Sequence, residues 1–97
     1  LDVMLRDKDH NLRIEELRLS KGSASIGKTI GALGLPGVSN ALLLACRAGP
    51  DWQYNPPGEW VMTADTVLIL MGSPTDIQAV CTAVQGEVLF PSHVEPA

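Results

Sequence analysis

A chain of 97 residues with 45% apolar side chains is long enough for one hydrophobic core and too short for two. Seven basic residues against eleven acidic ones leave a net charge of −4, which argues against a nucleic-acid binder, whose footprint is basic. No apolar run approaches the roughly 20 residues that a membrane-spanning helix needs, so direct membrane insertion is excluded as well.

Charge is unevenly placed along the chain. From Thr29 onward only Arg47 opposes Asp51, Glu59, Asp65, Asp76, Glu87 and Glu95, and this acidic part favours a cationic ligand over a phosphate. The two cysteines, Cys46 and Cys81, stand in apolar patterns. They read as buried thiols in a reducing setting rather than as a disulfide framework.

Residues 1–11 start without a charged-then-apolar leader, and we read them as a lead-in from a preceding domain of a longer polypeptide. From Asn11, NLRIEELRL alternates as a half-buried strand, with the phase slipping at Glu15-Glu16 as at a bulge. Lys21 to Ser25 is turn-rich. Ile26, Ile30 and Leu33 then repeat at helical spacing, and Gly34 and Pro36 end that short helix.

NALLLACR, residues 40–47, is a continuous apolar run that predicts a central strand, with Leu42, Leu44 and Cys46 on one face and Leu43 and Ala45 on the other. Trp52 and Tyr54 alternate with polar neighbours among prolines, as on a short edge strand. Thr66 to Gly72 is a second buried strand. Ser73 caps a helix with Pro74 at its first position, Asp76 in the first turn and Ile77, Val80, Cys81 and Val84 on one face, closed by Gly86. Residues 86–97 read as a tail. The order strand, helix, strand, hairpin, strand, helix predicts an α+β fold, a mostly antiparallel sheet of four to five strands with two short helices on one side.

KGSASIGKT, residues 21–29, spells the phosphate-loop pattern G-x-x-x-x-G-K-[ST]. A working loop follows a strand buried on both faces and opens a long helix, and it needs an acidic residue at the end of a second strand to help hold magnesium. Here the preceding strand alternates with charges, the following helix is short, and neither NALLLACR nor TVLILMG ends in an acid. We therefore read the motif as a structural turn relieved by Gly27.

Taken together, ELRLSKGSASIGKTIGALGL, LLACRAG and YNPPGEWVMTADTVLILMGSPTDIQAV resemble the C-terminal regulatory subdomain of potassium-conductance regulators, the RCK or TrkA-C family. Glu15, Gly22, Ser23, Gly27, Lys28, Thr29, Leu44, Ala45, Arg47, Gly49, Asn55, Pro56, Val67, Leu68, Ile69 and Gly72 carry the match, which spans roughly residues 12–84, within a domain we set at 12–85. Cys46 stands where an Ile is usual, Asp65-Thr66 replaces a Gly-Asp, and LPGVSN is shorter than the usual polar segment.

The resemblance implies regulation rather than catalysis. It implies a homodimer on the cytoplasmic side of the membrane, downstream of a Rossmann RCK subdomain and acting on the pore of a potassium channel or transporter. No cofactor is required, and the implied effectors are cyclic di-AMP, another nucleotide or a divalent cation. Leu44, Cys46, Arg47, Asn55 and Pro56 are the expected ligand-binding residues, and Leu42, Leu44, Trp52 and Tyr54 the expected dimer interface. The alternative is a purely structural assembly module that transmits gating strain without a ligand of its own.

Single residues leave choices open. Arg47 ends a buried strand and needs a partner, either Asp51 or Glu59 across the hairpin or an anionic ligand or second subunit. Trp52, Tyr54 and Trp60 cover a core or interface or else form a stacking surface. Glu15 and Glu16 with Asp7 and Asp9 make a solvated acidic face or gather a divalent cation. His10 and His93 have no companions at ligand spacing, and no nucleophile set or carboxylate pair supports an enzyme.

Overall fold

The computed structural model describes residues 3–6 and 11–89, with side chains from residue 11 onward. Among the described residues six strands form one antiparallel sheet: β1 (Val3–Arg6), β2 (Asn11–Leu19), β3 (Leu42–Ala48), β4 (Asp51–Tyr54), β5 (Thr66–Gly72) and β6 (Gly86–Leu89). Their order is β1-β2-β5-β3-β4. The outer edge of β2 is shared, with β1 on Asn11 to Ile14 and β6 on Glu16 to Leu19. The α+β class holds, and the strands beyond the expected four to five come from residues 3–6 and 86–89.

The strand at the centre is β5 rather than β3, because TVLILMG carries no charge, is apolar after Thr66 and is buried on both faces. One face is covered by helix α2 (Pro74–Val84) and the loops before β3. Leu17, Leu19, Cys46, Leu68 and Leu70 from the sheet pack there against Ile30, Leu35, Met62, Ile77, Val80 and Val84. Helix α2 starts as its sequence requires: the Ser73 hydroxyl accepts from the Asp76 N–H at 3.1 Å, and Pro74 follows in the first turn.

That helix ends differently from expectation. Gln85, not Gly86, takes the left-handed turn (φ 56°), and its N–H donates to the Cys81 and Thr82 carbonyls. Its side chain also accepts from the Ala24 N–H at 2.7 Å, which ties it to the turn after β2. Gly86 already belongs to β6, where a Cβ would lie 2.9 Å from the Arg18 carbonyl oxygen. Close approach of two strands requires the glycine.

The first helix is also corrected. Gly27, Lys28 and Thr29 do not open one: the Gly27 N–H donates to the Met62 carbonyl, the Met62 N–H to the Lys28 carbonyl and the Ile30 N–H to the Trp60 carbonyl, at 2.8 to 2.9 Å. The segment is a turn with one isolated bridge, Thr29 to Val61, and only a 3-10 turn (Gly31–Leu33) and a single-turn helix α1 (Leu35–Val38) follow. Apolar residues at helical spacing also suit a strand-like segment pinned at both ends, and Gly31 and Gly34 disfavour a longer helix. With its amides already paired and no helix of useful length behind it, KGSASIGKT lacks the cradle of a phosphate loop.

No bulge interrupts β2 where it pairs with β5, whose register runs unbroken from Arg13 opposite Gly72 to Arg18 opposite Val67. Glu15 turns to the covered face, where it is buried with Arg13 at 3.8 Å, and Glu16 turns to the other face. Each carboxylate has a guanidinium on its own face, so the strand keeps its phase. The bulge lies in β3, between Leu43 and Ala45.

Candidate functional site

That bulge decides which residues share a surface. Before it, Leu42 faces away from the helices and Leu43 packs into the covered core; after it, Ala45 and Arg47 face away and Cys46 points inward. Leu42 and Leu44 therefore do not share a face with Cys46, contrary to simple alternation, because one extra residue reverses the phase of the strand.

The face without helices is ordered in rows across β2, β5, β3 and β4. Arg18, Val67, Arg47 and Trp52 form one row, and Glu16, Ile69, Ala45 and Tyr54 the next. Ile14, Met71 and Leu42 lie beyond them. Ala45, Val67 and Ile69 are buried among Ile14, Leu44 and Leu89, a thin second core under long side chains. Outside it the apolar surface is open: Leu42 is 57% exposed, Trp52 49% and Tyr54 72%.

Arg47 stands at the middle of this face. Its Nη2 donates to Glu16 Oε1 at 3.0 Å, and its guanidinium lies 5.8 Å from the centre of the Trp52 ring. Trp52 stacks on Tyr54 at 6.0 Å between ring centres, with 17° between the planes. The Arg47 guanidinium holds the Glu16 carboxyl below its ordinary value, against the opposing effect of burial. The partner of Arg47 is thus Glu16, two strands away, rather than Asp51 or Glu59. Alternation puts Glu16 on one face of its strand, but only the sheet order tells that Arg47 shares that face.

The expected ligand-binding set divides. Leu44 and Arg47 lie on the open face, and Asn55 follows β4 with φ 46° and its N–H donating to the Leu44 carbonyl at 2.9 Å. Pro56 lines a separate apolar cavity of about 450 Å³ together with Leu35, Pro36, Leu42 and Leu43. Cys46 is fully buried on the covered face, where burial pushes its thiol up to about 12, so it offers no atom to a ligand. The expected interface residues Leu42, Leu44, Trp52 and Tyr54 come together on the open face. Trp60 packs on the covered core instead and does not join Trp52 and Tyr54.

Among the described residues no three His, Cys, Asp or Glu side chains gather as a metal site. The suggested companions of Glu15 and Glu16, Asp7 and Asp9, lie outside the described residues, as do His10 and His93. No helix of the described residues is long and apolar enough to cross a membrane.

The fold is thus an antiparallel sheet with its helices on one face and a half-buried arginine on the other. Residues 14–85 match the TrkA-C domain, and the chain belongs to that family. Among solved structures it is similar to a GsuK channel, with 26% identity and a TM-score of 0.67 over 92% of this chain and 16% of that one. The GsuK RCK domain matches with 25% identity and a TM-score of 0.67, over 92% of this chain and 19% of that one. A GsuK channel bound to NAD matches equally well, with 25% identity and a TM-score of 0.67 over 94% of this chain and 16% of that one. The chain thus spans less than a fifth of the length of these relatives. No curated protein matches it.

Proposed function

We propose that this chain is the ligand-binding and dimerising regulatory subdomain of a potassium channel or transporter, without catalytic activity of its own. Residues 12–85 form the functional unit, 1–11 lead in from a Rossmann RCK subdomain, and the whole sits on the cytoplasmic side of the membrane. The observation that carries the reading is the open sheet face, where Leu42, Trp52 and Tyr54 stand exposed on the same side as the Arg47–Glu16 pair. A surface of this kind supports burial against a second copy. An effector held at such a seam, beside Leu44, Arg47 and Asn55, shifts the parent's gating equilibrium by its differential affinity for the two arrangements of the dimer.

The test is sedimentation velocity of the purified chain, followed by calorimetric titration with cyclic di-AMP, NAD, ADP, ATP, calcium and magnesium. The expected result is a dimer that one of these ligands binds and stabilises against heat. A dimer that binds none of them supports the assembly module that transmits strain without a ligand. A monomer under all conditions refutes the proposed interface.

A further inference from the structure

Strand β4 ends the sheet, with no strand beyond it among the described residues, and all four of its residues are exposed. The Asn55 N–H donates to the Leu44 carbonyl at 2.9 Å, so the ladder to β3 is made by Asn55 and then, at every second position, by Gln53 and Asp51. The N–H and C=O groups of Trp52 and Tyr54 consequently point out of the sheet. The Tyr54 carbonyl takes a long bond from the exposed Gln53 side chain, at 3.3 Å, which a backbone donor can replace. Edges of this kind are ordinarily guarded by a charge or a proline within the strand. On the opposite side of the sheet β6 carries Glu87 in its interior. Strand β4 has neither guard: its one charge, Asp51, stands at its start, and Pro50 and Pro56 lie just outside and confine pairing to residues 51–55.

We propose that β4 pairs with β4 of a second copy of this chain, antiparallel about a two-fold axis at Gln53, so that Trp52 of each copy stands opposite the partner's Tyr54. The proposal rests on the dimer reading and deepens it by fixing the geometry of the contact. In this register every outward group is used, because Trp52 and Tyr54 each donate to and accept from the residue opposite. A shift of two residues in either direction brings in Pro50 or Pro56, which have no N–H to give. The charges agree as well, since Asp51 faces the partner's Asn55 and not a second carboxylate. On the open face the stacked pair of Trp52 and Tyr54, 6.0 Å between ring centres, is doubled across the seam into cross-strand aromatic contacts. The two Gln53 side chains meet at the axis on the other face.

The test is sedimentation equilibrium of the full chain carrying Gln53→Lys or Gln53→Glu, alone and as an equimolar mixture. Each variant alone places like charges together at the axis and should weaken the dimer about threefold or more, and the mixture should restore it. In the wild type, amide exchange at Trp52 and Tyr54 should slow as the chain concentration rises, while Gln53, already bonded to β3, should not change. The proposal is overturned if both variants dimerise as the wild type does, if the mixture is no tighter than either variant alone, or if the Trp52 and Tyr54 amides exchange equally fast at every concentration. A dimer showing those results keeps the dimer reading and places its seam away from the β4 edge; a monomeric wild type removes both.

Discussion

The two faces of the sheet use the same strands and reach different ends. On the covered face Leu17, Leu68 and Leu70 are fully buried under Val80 and Val84 of α2, and a charged pair, Arg13 with Glu15, sits at its margin. On the open face only Ala45, Val67 and Ile69 are buried, and the charges stand among them, with Glu16 and Arg47 in adjacent rows. The first face carries the fold. The second spends little on stability and keeps its apolar and ionic groups available to something outside the chain.

The contrast is broken most sharply by core truncation. Leu68→Ala empties the middle of the covered face and should lower unfolding free energy by about 2–5 kcal/mol in chemical denaturation. A loss no larger than that of a surface mutation would mean that α2 does not seal this face. Gly86→Ala should cost about 1–3 kcal/mol, because its Cβ meets the Arg18 carbonyl and the Leu17 side chain with no room to yield. Wild-type stability in this variant would show that β6 does not approach β2 so closely.

On the open face the expected effects on folding are smaller. The depressed carboxyl of Glu16 contributes stability above its ordinary value of 4.5, and that stability is lost as pH falls through its lowered folded value. Arg47→Met should therefore flatten the acid limb of the stability profile, by about 1 kcal/mol at most. Identical acid limbs in the two proteins would dissolve the pair. Leu42→Gln and Tyr54→Gln should each change monomer stability by only about 0.5 kcal/mol, while together they abolish self-association in sedimentation. An unchanged dimer would place the interface elsewhere on the chain.

Much of the covered face was legible beforehand. TVLILMG reads as a strand because seven consecutive apolar or small residues suit burial on both sides, and Ser73-Pro74 with Asp76 marks a helix start by chemistry that acts within one turn. Gly86 misled, since a glycine past a helix suggests a left-handed cap, whereas here it admits a neighbouring strand. The GKT segment misled for a related reason: helical spacing over three apolar residues does not outweigh the backbone bonds that Trp60 and Met62 offer from a distance.

The open face was harder to read. Leu42, Leu44, Arg47, Trp52 and Tyr54 lie on one face of the sheet, but simple alternation groups Cys46 with Leu42 and Leu44, because a bulge leaves no local mark in LLLACRA.

By itself the sequence determined the α+β class, the family, the central apolar strand and the caps of α2, since each depends on periodicity or on bonds within a few residues. Tertiary structure alone decided that Arg47 pairs with Glu16, that Cys46 is sealed away and that Arg18 and Arg47 flank Val67. Those outcomes depend on strand order and on one inserted residue in β3, and neither is a property of any local stretch of chain.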